Sequence, residues 1–345
     1  MGMTIAEKIL ASHADLQSVR PGDLVWARVD FCLGNDITAP IAIREFEAAG
    51  ASEVFDRSRV ALIPDHFTPN RDIPSAQQCK VLRQFARAKK VENYFEVGRV
   101  GVEHALLPEE GLTLPGELII GADSHTCTYG ALGALSTGVG STDLAAAMIT
   151  GHAWFKVPDT ARFIYSGKPR RWVGGKDFIL ATIGDIGVDG ALYRAMEFTG
   201  PAIEALSIEG RMTMSNMAIE AGGKAGIVPP DDKTLEYVSP RARRPFVPVW
   251  DDPDAKFCET REYDVGEIEP LVACPHLPSQ MISRPVGPPV QASTRGARHL
   301  DPAVQRLGLV GRDAERHGLD AEPREAGGQV GRVRVADLAR LGHAV

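Results

Sequence analysis

The sequence predicts an α/β protein in which parallel or mixed sheets are covered by helices on both faces. Two short runs, residues 60–63 and 118–120, are wholly apolar, which is typical of strands buried on both faces. Each run is followed by polar loop residues and then by a segment whose apolar side chains have helical spacing. Strands that alternate with helices in this way favour parallel pairing.

Turns separate the N-terminal elements from one another. Residues 4–14 predict an amphipathic helix, residues 24–31 a strand, and residues 34–40 a loop. Residues 41–50 predict a helix that ends at its final glycine, and residues 75–90 predict a helix with cationic side chains in its last turn. The first apolar strand therefore has a predicted helix on each side of it in sequence.

The segment 117–151 is the one around which the chain is organised. It opens with the second apolar strand and continues into a loop of glycine and small residues at 130–140. Ser141 and Thr142 are placed to cap a following helix, which Gly151 would close.

Asp123, Ser124 and His125 follow where the second apolar strand should end. In open α/β sheets, ligands bind outside the carboxyl ends of the strands, so these three side chains are candidates for chemistry. Alternatively, Asp123 and Ser124 only accept hydrogen bonds from nearby backbone N–H groups. Taken alone, these three residues leave both interpretations open.

Three further places in the chain carry candidate residues. Asp65 and His66 follow the first apolar strand, and a carboxylate beside an imidazole suits general acid catalysis. His104 lies between glycine-rich turns, and Asn216 and Glu220 have the i, i+4 spacing that places both on one face of a helix. Each has an alternative without function. Asp65 and His66 would be a surface pair at a strand end, His104 a structural histidine, and Asn216 with Glu220 part of a solvated helix face.

From residue 154 onward, the spacing of apolar residues is less regular. Residues 154–168 predict a pair of amphipathic strands, and residues 176–187 predict a strand or a short helix. Residues 190–200 and 201–207 predict two helices separated by a glycine and a proline.

Composition excludes several functional classes. The net charge of −7 gives no reason to expect nucleic acid or an anionic membrane as a partner. The N-terminus has no secretion signal, and no apolar run reaches the ~18 residues that a membrane span needs. The number of cysteines is odd and no two lie within four residues, which argues against disulfides and favours a reduced, cytoplasmic protein. The cysteines are Cys32, Cys79, Cys127, Cys258 and Cys274.

The C-terminal segment 279–345 differs in composition from the rest. The sequence has no lysine after Lys256, no aromatic residue after Tyr263 and no cysteine after Cys274. Arginine, glycine and alanine dominate without a sustained period, which predicts poor order, and only residues 333–345 favour a short helix. The segment is either an out-of-frame product of a GC-rich gene or a natural Arg/Ala/Gly-rich tail. Nucleic-acid binding by this tail is disfavoured because it has interspersed acidic residues and no aromatic side chain for stacking.

Four blocks of sequence together resemble the aconitase superfamily. In order they are VALIPDHFTPN, VGVEHALLPEEG, GADSHTCTYGALGALSTGVGSTD and NMAIEAGGK, all within a stretch from about residue 3 to 278. Within the superfamily, the chain is most similar to the large subunits of 3-isopropylmalate dehydratase and homoaconitase. The resemblance implies two three-layer α/β/α lobes, at 1–160 and 161–278, with an incomplete C-terminal lobe and an aberrant tail at 279–345.

The resemblance implies a hydro-lyase that removes water from a hydroxy acid and re-adds it at the neighbouring carbon, as in leucine biosynthesis. It further implies that a carboxylate orients each of three histidines. His66 would be the acid toward the leaving hydroxyl. The implied pairs are Asp65 with His66, Asp123 with His104, and Glu220 with His125; Asn216 would lie beside Glu220, and Ser124 would join the local hydrogen bonds.

The resemblance also implies a [4Fe-4S] cluster and a small-subunit partner, in a heterodimer or heterotetramer, that supplies the base. The family's cluster ligands lie in Ser-Cys-Thr-Asn and Cys-Gly-Pro-Cys segments, and this sequence contains neither. Cys127 and Cys274 do not stand in for them, and Cys127 is interpreted as a packed thiol. We therefore expect no cluster and little dehydratase activity from this chain. A non-catalytic truncated relative is the alternative.

Overall fold

A computed structural model describes residues 2–99 and 101–283, which lie in one compact unit. The predicted properties of the tail from residue 284 onward, including the helix at 333–345, fall outside the described residues. In chain order the elements are α1 (Ile5–His13), β1 (Leu24–Arg28), β2 (Phe31–Asn35), α2 (Ala39–Ala48), β3 (Val60–Ile63), α3 (Ile73–Lys89), β4 (Asn93–Tyr94), α4 (Glu103–Glu109), β5 (Leu118–Gly121), β6 (Leu135–Gly138), α5 (Ser141–Thr150), β7 (His152–Lys156), β8 (Thr160–Ser166), α6 (Gly175–Ile186), β9 (Ala195–Thr199), α7 (Pro201–Ala205), α8 (Ile208–Asn216), β10 (Ala225–Ile227), α9 (Asp232–Val238), β11 (Glu259–Asp264), β12 (Leu271–Ala273) and β13 (Met281–Ser283). Two 3₁₀ helices, Ser124–Leu132 and Met217–Ala221, complete the list.

The first main sheet is parallel, with strand order β4-β3-β2-β5-β6. Successive side chains of its strands enter different cores because they point to opposite faces of the sheet. On β3, Val60 and Leu62 pack with α2, α3 and α5, whereas Ala61 and Ile63 pack with α4 and the first 3₁₀ helix. The predicted α/β class, with sheets covered on both faces, is confirmed.

The second main sheet is also parallel, with strand order β10-β9-β8-β11. Its core includes buried side chains of α6, α7 and α8. A further core cluster joins α1 to strands of both sheets, through Leu118 and Leu135 on one side and Ala195 and Ala225 on the other. The division into lobes at residue 160 stays a prediction; β8, the first strand of the second sheet, begins there.

Two predicted elements are divided differently in the structure. The single strand expected at 24–31 is two strands, because β1 pairs antiparallel with β7 whereas β2 enters the parallel sheet. Between the two strands, the backbone N–H of Val29 donates to the carbonyl of Gly151, next to β7, and that of Asp30 donates to the carbonyl of Leu118 on β5. The chain therefore changes its pairing partner from β7 to β5 at these residues. Similarly, β7 and β8 do not pair with each other as the strand pair predicted at 154–168 would require.

The helix predicted at 190–200 is wrong, because its second half is β9. This strand lies between β8 and β10 and is buried, so sheet packing overrides the helix propensity of its alanine, methionine and glutamate. The loop expected at 130–140 contains the strand β6. Its small and polar residues do not form the apolar run from which the other buried strands were predicted. The helix α5 begins after Gly140 without a side-chain cap, so the capping role predicted for Ser141 and Thr142 is also wrong.

The remaining helix predictions hold to within a few residues. Thr4 caps α1 through a capping box with Glu7, and Asp72 caps α3 with Ser75. Gly151 adopts the left-handed conformation at the end of α5. Among the described residues, no helix has both the length and the apolar character needed to cross a membrane.

Candidate functional site

The candidate site lies at the carboxyl ends of three neighbouring strands of the first sheet. Asn35 ends β2, Asp65 follows β3 closely, and Asp123 follows β5. Because parallel strands end at one edge of a sheet, these loops meet there. The start of α4 brings His104 to the same place, and the second 3₁₀ helix brings Glu220 from the second half of the chain.

Asp65 and His66 form the first histidine–carboxylate pair. The Nδ1 atom of His66 donates to Oδ1 of Asp65 at 2.6 Å, and Oδ2 of Asp65 accepts the backbone N–H of Glu103 at 2.7 Å. The buried carboxylate of Asp36 fixes the loop by accepting the backbone N–H groups of His66 and Phe67. The hydrogen bond to Asp65 raises the pKa of His66 to about 9, although burial opposes the shift. His66 therefore carries a proton at neutral pH.

His104 and Asp123 form the second pair. The Nε2 atom of His104 is 3.0 Å from Oδ1 of Asp123, and Nδ1 of His104 lies 3.0 Å from the hydroxyl of Tyr129. Burial opposes ionisation of Asp123, but hydrogen bonds from His104 and His125 outweigh it and lower the pKa of Asp123. Asp123 is therefore an anion that two imidazoles share.

His125 and Glu220 form the third pair and link the two halves of the chain. The Nε2 atom of His125 donates to Oε1 of Glu220 at 3.3 Å, and the hydroxyl of Ser124 lies 3.2 Å from Nδ1 of His125. The carboxylate of Asp123, followed by that of Glu220, raises the pKa of His125 to about 9. The hydrogen bond from His125 in turn lowers the pKa of Glu220.

Asn216 and Glu220 do not lie on one regular helix as their spacing predicted. The helix α8 ends at Asn216, and Glu220 lies on the 3₁₀ helix that follows, because the chain tightens before Gly222. The amide of Asn216 donates to the hydroxyl of Thr128 at 2.9 Å. The thiol of Cys127 is buried and donates to the backbone carbonyl of Asn216, which agrees with its interpretation as a packed thiol.

Two residues of the site were missed in the sequence, Asn35 and Glu103. The amide of Asn35 donates to Oε1 of Glu103 at 3.1 Å and reaches Oδ2 of Asp123 at 3.4 Å. Glu103 is buried, and burial raises its pKa to about 8. Two signals were available: Asn35–Asp36 follows an apolar run, as Asp65–His66 does, and Glu103 is adjacent to His104.

An open cleft of about 500 Å³ is lined by Ser124, which lies between Asp123 and His125, and by Ile219, the neighbour of Glu220. Trp26, Trp154, Tyr193 and Lys224 line its other sides. The volume suits a small molecule, and the ammonium group of Lys224 gives the cleft a cation for a carboxylate ligand.

The cysteines of the described residues do not form a cluster site. Cys32, Cys79 and Cys127 are buried, and the structure contains no disulfide among the described residues. The close groups of three ligand side chains in this part of the chain consist of histidine and carboxylates and include no cysteine. An iron–sulfur cluster needs several convergent thiolates, so the described residues do not fit one.

The sequence matches one family model and several named proteins along most of its length. The family model described as aconitase family (aconitate hydratase) matches residues 7–306, and so continues past residue 278, where the resemblance was expected to end. The chain is 61% identical over 304 residues to a 3-isopropylmalate dehydratase large subunit of Halothermothrix orenii, covering 88% of this chain and 70% of that protein. It is 64% identical over 281 residues to the protein of the same name from Thermodesulfovibrio yellowstonii, and 62% identical over 282 residues to the 3-isopropylmalate dehydratase large subunit 1 of Pyrococcus abyssi. These alignments cover 81% and 82% of this chain and 67% of each relative.

Proposed function

Because the chain belongs to the aconitase family, we propose that it is a hydro-lyase subunit of the 3-isopropylmalate dehydratase type, acting in leucine biosynthesis. The observation that carries this proposal is the convergence of three histidine–carboxylate pairs, brought by separate segments of the chain to one edge of the first sheet. A dehydration needs a proton donor for the departing hydroxyl, because hydroxide is a poor leaving group.

We assign the role of proton donor to His66. Its Nδ1 atom is held by Asp65, so the opposite Nε2–H faces the site and can pass its proton to the hydroxyl oxygen as the C–O bond breaks. Water then leaves, and the negative charge of Asp65 stabilises the imidazolium in the reverse reaction. A pKa of about 9 keeps this acid protonated at neutral pH while leaving it able to donate.

The other two pairs position groups and supply positive charge. His104 is fixed between Asp123 and Tyr129, and His125 between Ser124 and Glu220. A protonated His125, next to Ser124 at the wall of the cleft, favours the carboxylate of a hydroxy acid. Asn216 orients the 3₁₀ helix through Thr128. In this proposal, all eight of the site residues predicted from the sequence act directly or through a neighbour.

The base that removes the carbon-bound proton is proposed to come from a small-subunit partner, since the matched relatives are named large subunits. A heterodimer or heterotetramer and a cytoplasmic location complete the proposal. The family implies a [4Fe-4S] cluster, but because the described residues present no thiolate set, no step is assigned to it.

The test is the hydration and dehydration of 3-isopropylmalate by the full chain combined with the small subunit from a matched relative. Iron and acid-labile sulfide are measured after anaerobic reconstitution. The Asp65→Asn variant keeps the size of the side chain but removes its charge, and it should lower kcat by about 10²- to 10⁴-fold. The Asp189→Asn variant, at an exposed site, should leave kcat unchanged.

Three other outcomes would change parts of this proposal. Preference for a hydroxy tricarboxylic acid would favour homoaconitase, and preference for a different hydroxy diacid would favour a related hydroxy-diacid dehydratase. A folded chain with near-zero iron and no turnover would favour a non-catalytic relative, which the scattered cysteines support. About four iron atoms per chain together with activity would show that thiolate ligands form in a way that the described residues do not display.

A further inference from the structure

We propose that the open cleft lined by Ser124 binds a free α-amino acid with an apolar side chain. The cleft has a volume of about 500 Å³, and its lining combines aromatic rings with one cationic and one anionic side chain, those of Lys224 and Asp143. Small-molecule sites typically have this size and this mixture of apolar walls with a few polar groups. Binding needs none of the three histidine–carboxylate pairs and no hydroxyl on the ligand, so this inference goes beyond the proposed hydro-lyase function.

Two tryptophans form an apolar wall of the cleft. Trp26 on β1 lies directly opposite Trp154 on β7, and their ring centroids are 5.1 Å apart. The imidazole of His152 stacks on Trp26, with the centroids 5.6 Å apart and the planes 9° from parallel. Trp26 is 42% and Trp154 is 68% exposed, so an apolar ligand that covers them removes aromatic surface from water. Because the strand pairing already holds both rings in position, little side-chain entropy is lost on binding.

Tyr193 forms another part of the lining and is held in an unusual conformation. Its φ of 61° lies in the left-handed region, which residues other than glycine rarely adopt. The backbone N–H of Tyr193 donates to the carbonyl of Gly222 at 3.0 Å, which fixes this turn. Residues in such conformations are concentrated at ligand-binding sites. The ring centroid of Tyr193 is 5.3 Å from Nζ of Lys224, so the aromatic ring holds the ammonium group at the cleft.

The two charged side chains of the lining have no ionic partner within the described part of the chain. Lys224 contacts the face of Tyr193, and Asp143 in the first turn of α5 does not cap its own helix. The two side chains also do not pair with each other, although both line the cleft. The ammonium group of Lys224 attracts a carboxylate, and the carboxylate of Asp143 attracts an ammonium group. A zwitterion therefore satisfies both, whereas an amine or a monocarboxylate leaves one of them unpaired.

The charges and the aromatic wall together define the class of ligand. An α-amino acid carries its carboxylate and its ammonium group on one carbon atom and projects its side chain away from them. A branched apolar or aromatic side chain would cover the indole rings of Trp26 and Trp154, and a small polar one would leave them exposed.

The test uses the full chain, titrated with L-leucine by isothermal calorimetry. Two analogues have the same branched side chain but only one charge each: 4-methylpentanoate lacks the ammonium group, and 3-methylbutylamine lacks the carboxylate. We expect one L-leucine per chain and binding of each analogue weaker by about tenfold or more, because each leaves one charged side chain without its partner.

Substitutions in the cleft assign each charge to its side chain. Asp143→Asn and Lys224→Met should each weaken L-leucine binding about tenfold. In addition, Asp143→Asn should remove the preference for L-leucine over 4-methylpentanoate, and Lys224→Met the preference over 3-methylbutylamine. Asp232→Asn, in the first turn of α9, and Lys80→Met, at an exposed position of α3, are the matched controls and should bind as the unmodified chain does.

Folding of every variant is checked by circular dichroism. Binding of L-leucine that depends on both charged side chains supports the proposal. It is overturned if the unmodified chain shows no saturable binding, if either analogue binds as tightly as L-leucine, or if either cleft variant binds as its control does. Since the titration needs neither turnover, a small subunit nor iron, its failure is distinguishable from failure of the proposed hydro-lyase activity.

Discussion

Replacing Glu220 by glutamine is expected to lower the pKa of His125 and to change how stability depends on pH. Glu220 is on the 3₁₀ helix after α8, and His125 is on the 3₁₀ helix after β5, so their hydrogen bond joins the two halves of the described chain. Glutamine keeps an oxygen acceptor for Nε2 but removes the negative charge. The variant therefore isolates the electrostatic part of the contact.

The size of the effect follows from two carboxylates near His125. Oε1 of Glu220 is 3.3 Å from Nε2, whereas Oδ1 of Asp123 is 3.7 Å from Nδ1. Glu220 is closer but 40% exposed, against 17% for Asp123, so water screens its charge more strongly. We expect Asp123 to supply the larger share of the rise from 6.5 to about 9, and loss of the Glu220 charge to lower the pKa of His125 by about one unit.

The sign of the stability effect follows from linkage. The pKa of His125 is higher in the folded state than the ordinary value of 6.5, so its protonated form stabilises the fold fully below pH 6.5 and loses that effect as pH rises through about 9. The pKa of Glu220 is below its ordinary 4.5, so its contribution is present above pH 4.5 and is lost as pH falls through the lower folded value. The variant should therefore be less stable than the unmodified chain between these limits.

The assay combines NMR titration of ¹³C-labelled histidine rings with urea unfolding at pH 6 and at pH 10. At pH 6 the Glu220→Gln variant should have a lower free energy of unfolding, and at pH 10 the two proteins should converge. Glu236→Gln, at an exposed position, is the control. An unchanged His125 titration, or an equal stability difference at both pH values, would refute the reasoning.

Two further predictions concern the packing that supports the site. Arg211 is fully buried and makes a bidentate contact with Asp231, so Arg211→Met should lower the free energy of unfolding by about 3 kcal/mol in urea titrations, and no measurable loss would contradict this. A Cβ atom at Gly130 would lie 1.9 Å from the carbonyl oxygen of Gly226, so Gly130→Ala should cost about 1–3 kcal/mol by thermal unfolding. Gly210→Ala, where the nearest atoms are at 3.4 Å on a helix, is the control and should be neutral or mildly stabilising; equal effects of the two changes would refute the steric argument.

Much of the first sheet could be predicted from local sequence because its strands are buried on both faces. The apolar runs at β3 and β5 stand out from their polar flanks, and glycine at the end of α5 fixes a boundary. Strands β6 and β9 could not be found in this way. Small residues form β6, and helix-favouring residues form β9, whose structure depends on neighbouring strands distant in sequence.

The candidate site was predictable in part for the same reason. Polar residues after apolar strands pointed to the Asp65–His66 pair and to Asp123, and the family resemblance paired Asp123 with His104 and Glu220 with His125. Glu103 was missed because its importance depends on burial, which arises only when α4 packs against the sheet edge. An acidic residue in a helix sequence is ordinarily exposed, so no local pattern distinguishes it.

The first 3₁₀ helix, Ser124–Leu132, is the element that two of the three histidine–carboxylate pairs share. Its N-cap Asp123 accepts a hydrogen bond from His104, and its His125 donates one to Glu220. Its Thr128 accepts a hydrogen bond from the amide of Asn216. At its other end the carbonyl of Gly130 accepts the backbone N–H of Val228, beyond β10 of the second sheet. Contacts from both halves of the described chain thus converge on this helix and its N-cap, so the His125–Glu220 pair can assemble only when both sheets have folded. For this reason, a change such as Gly130→Ala, remote from any proton transfer, is expected to disturb the site as well as the fold.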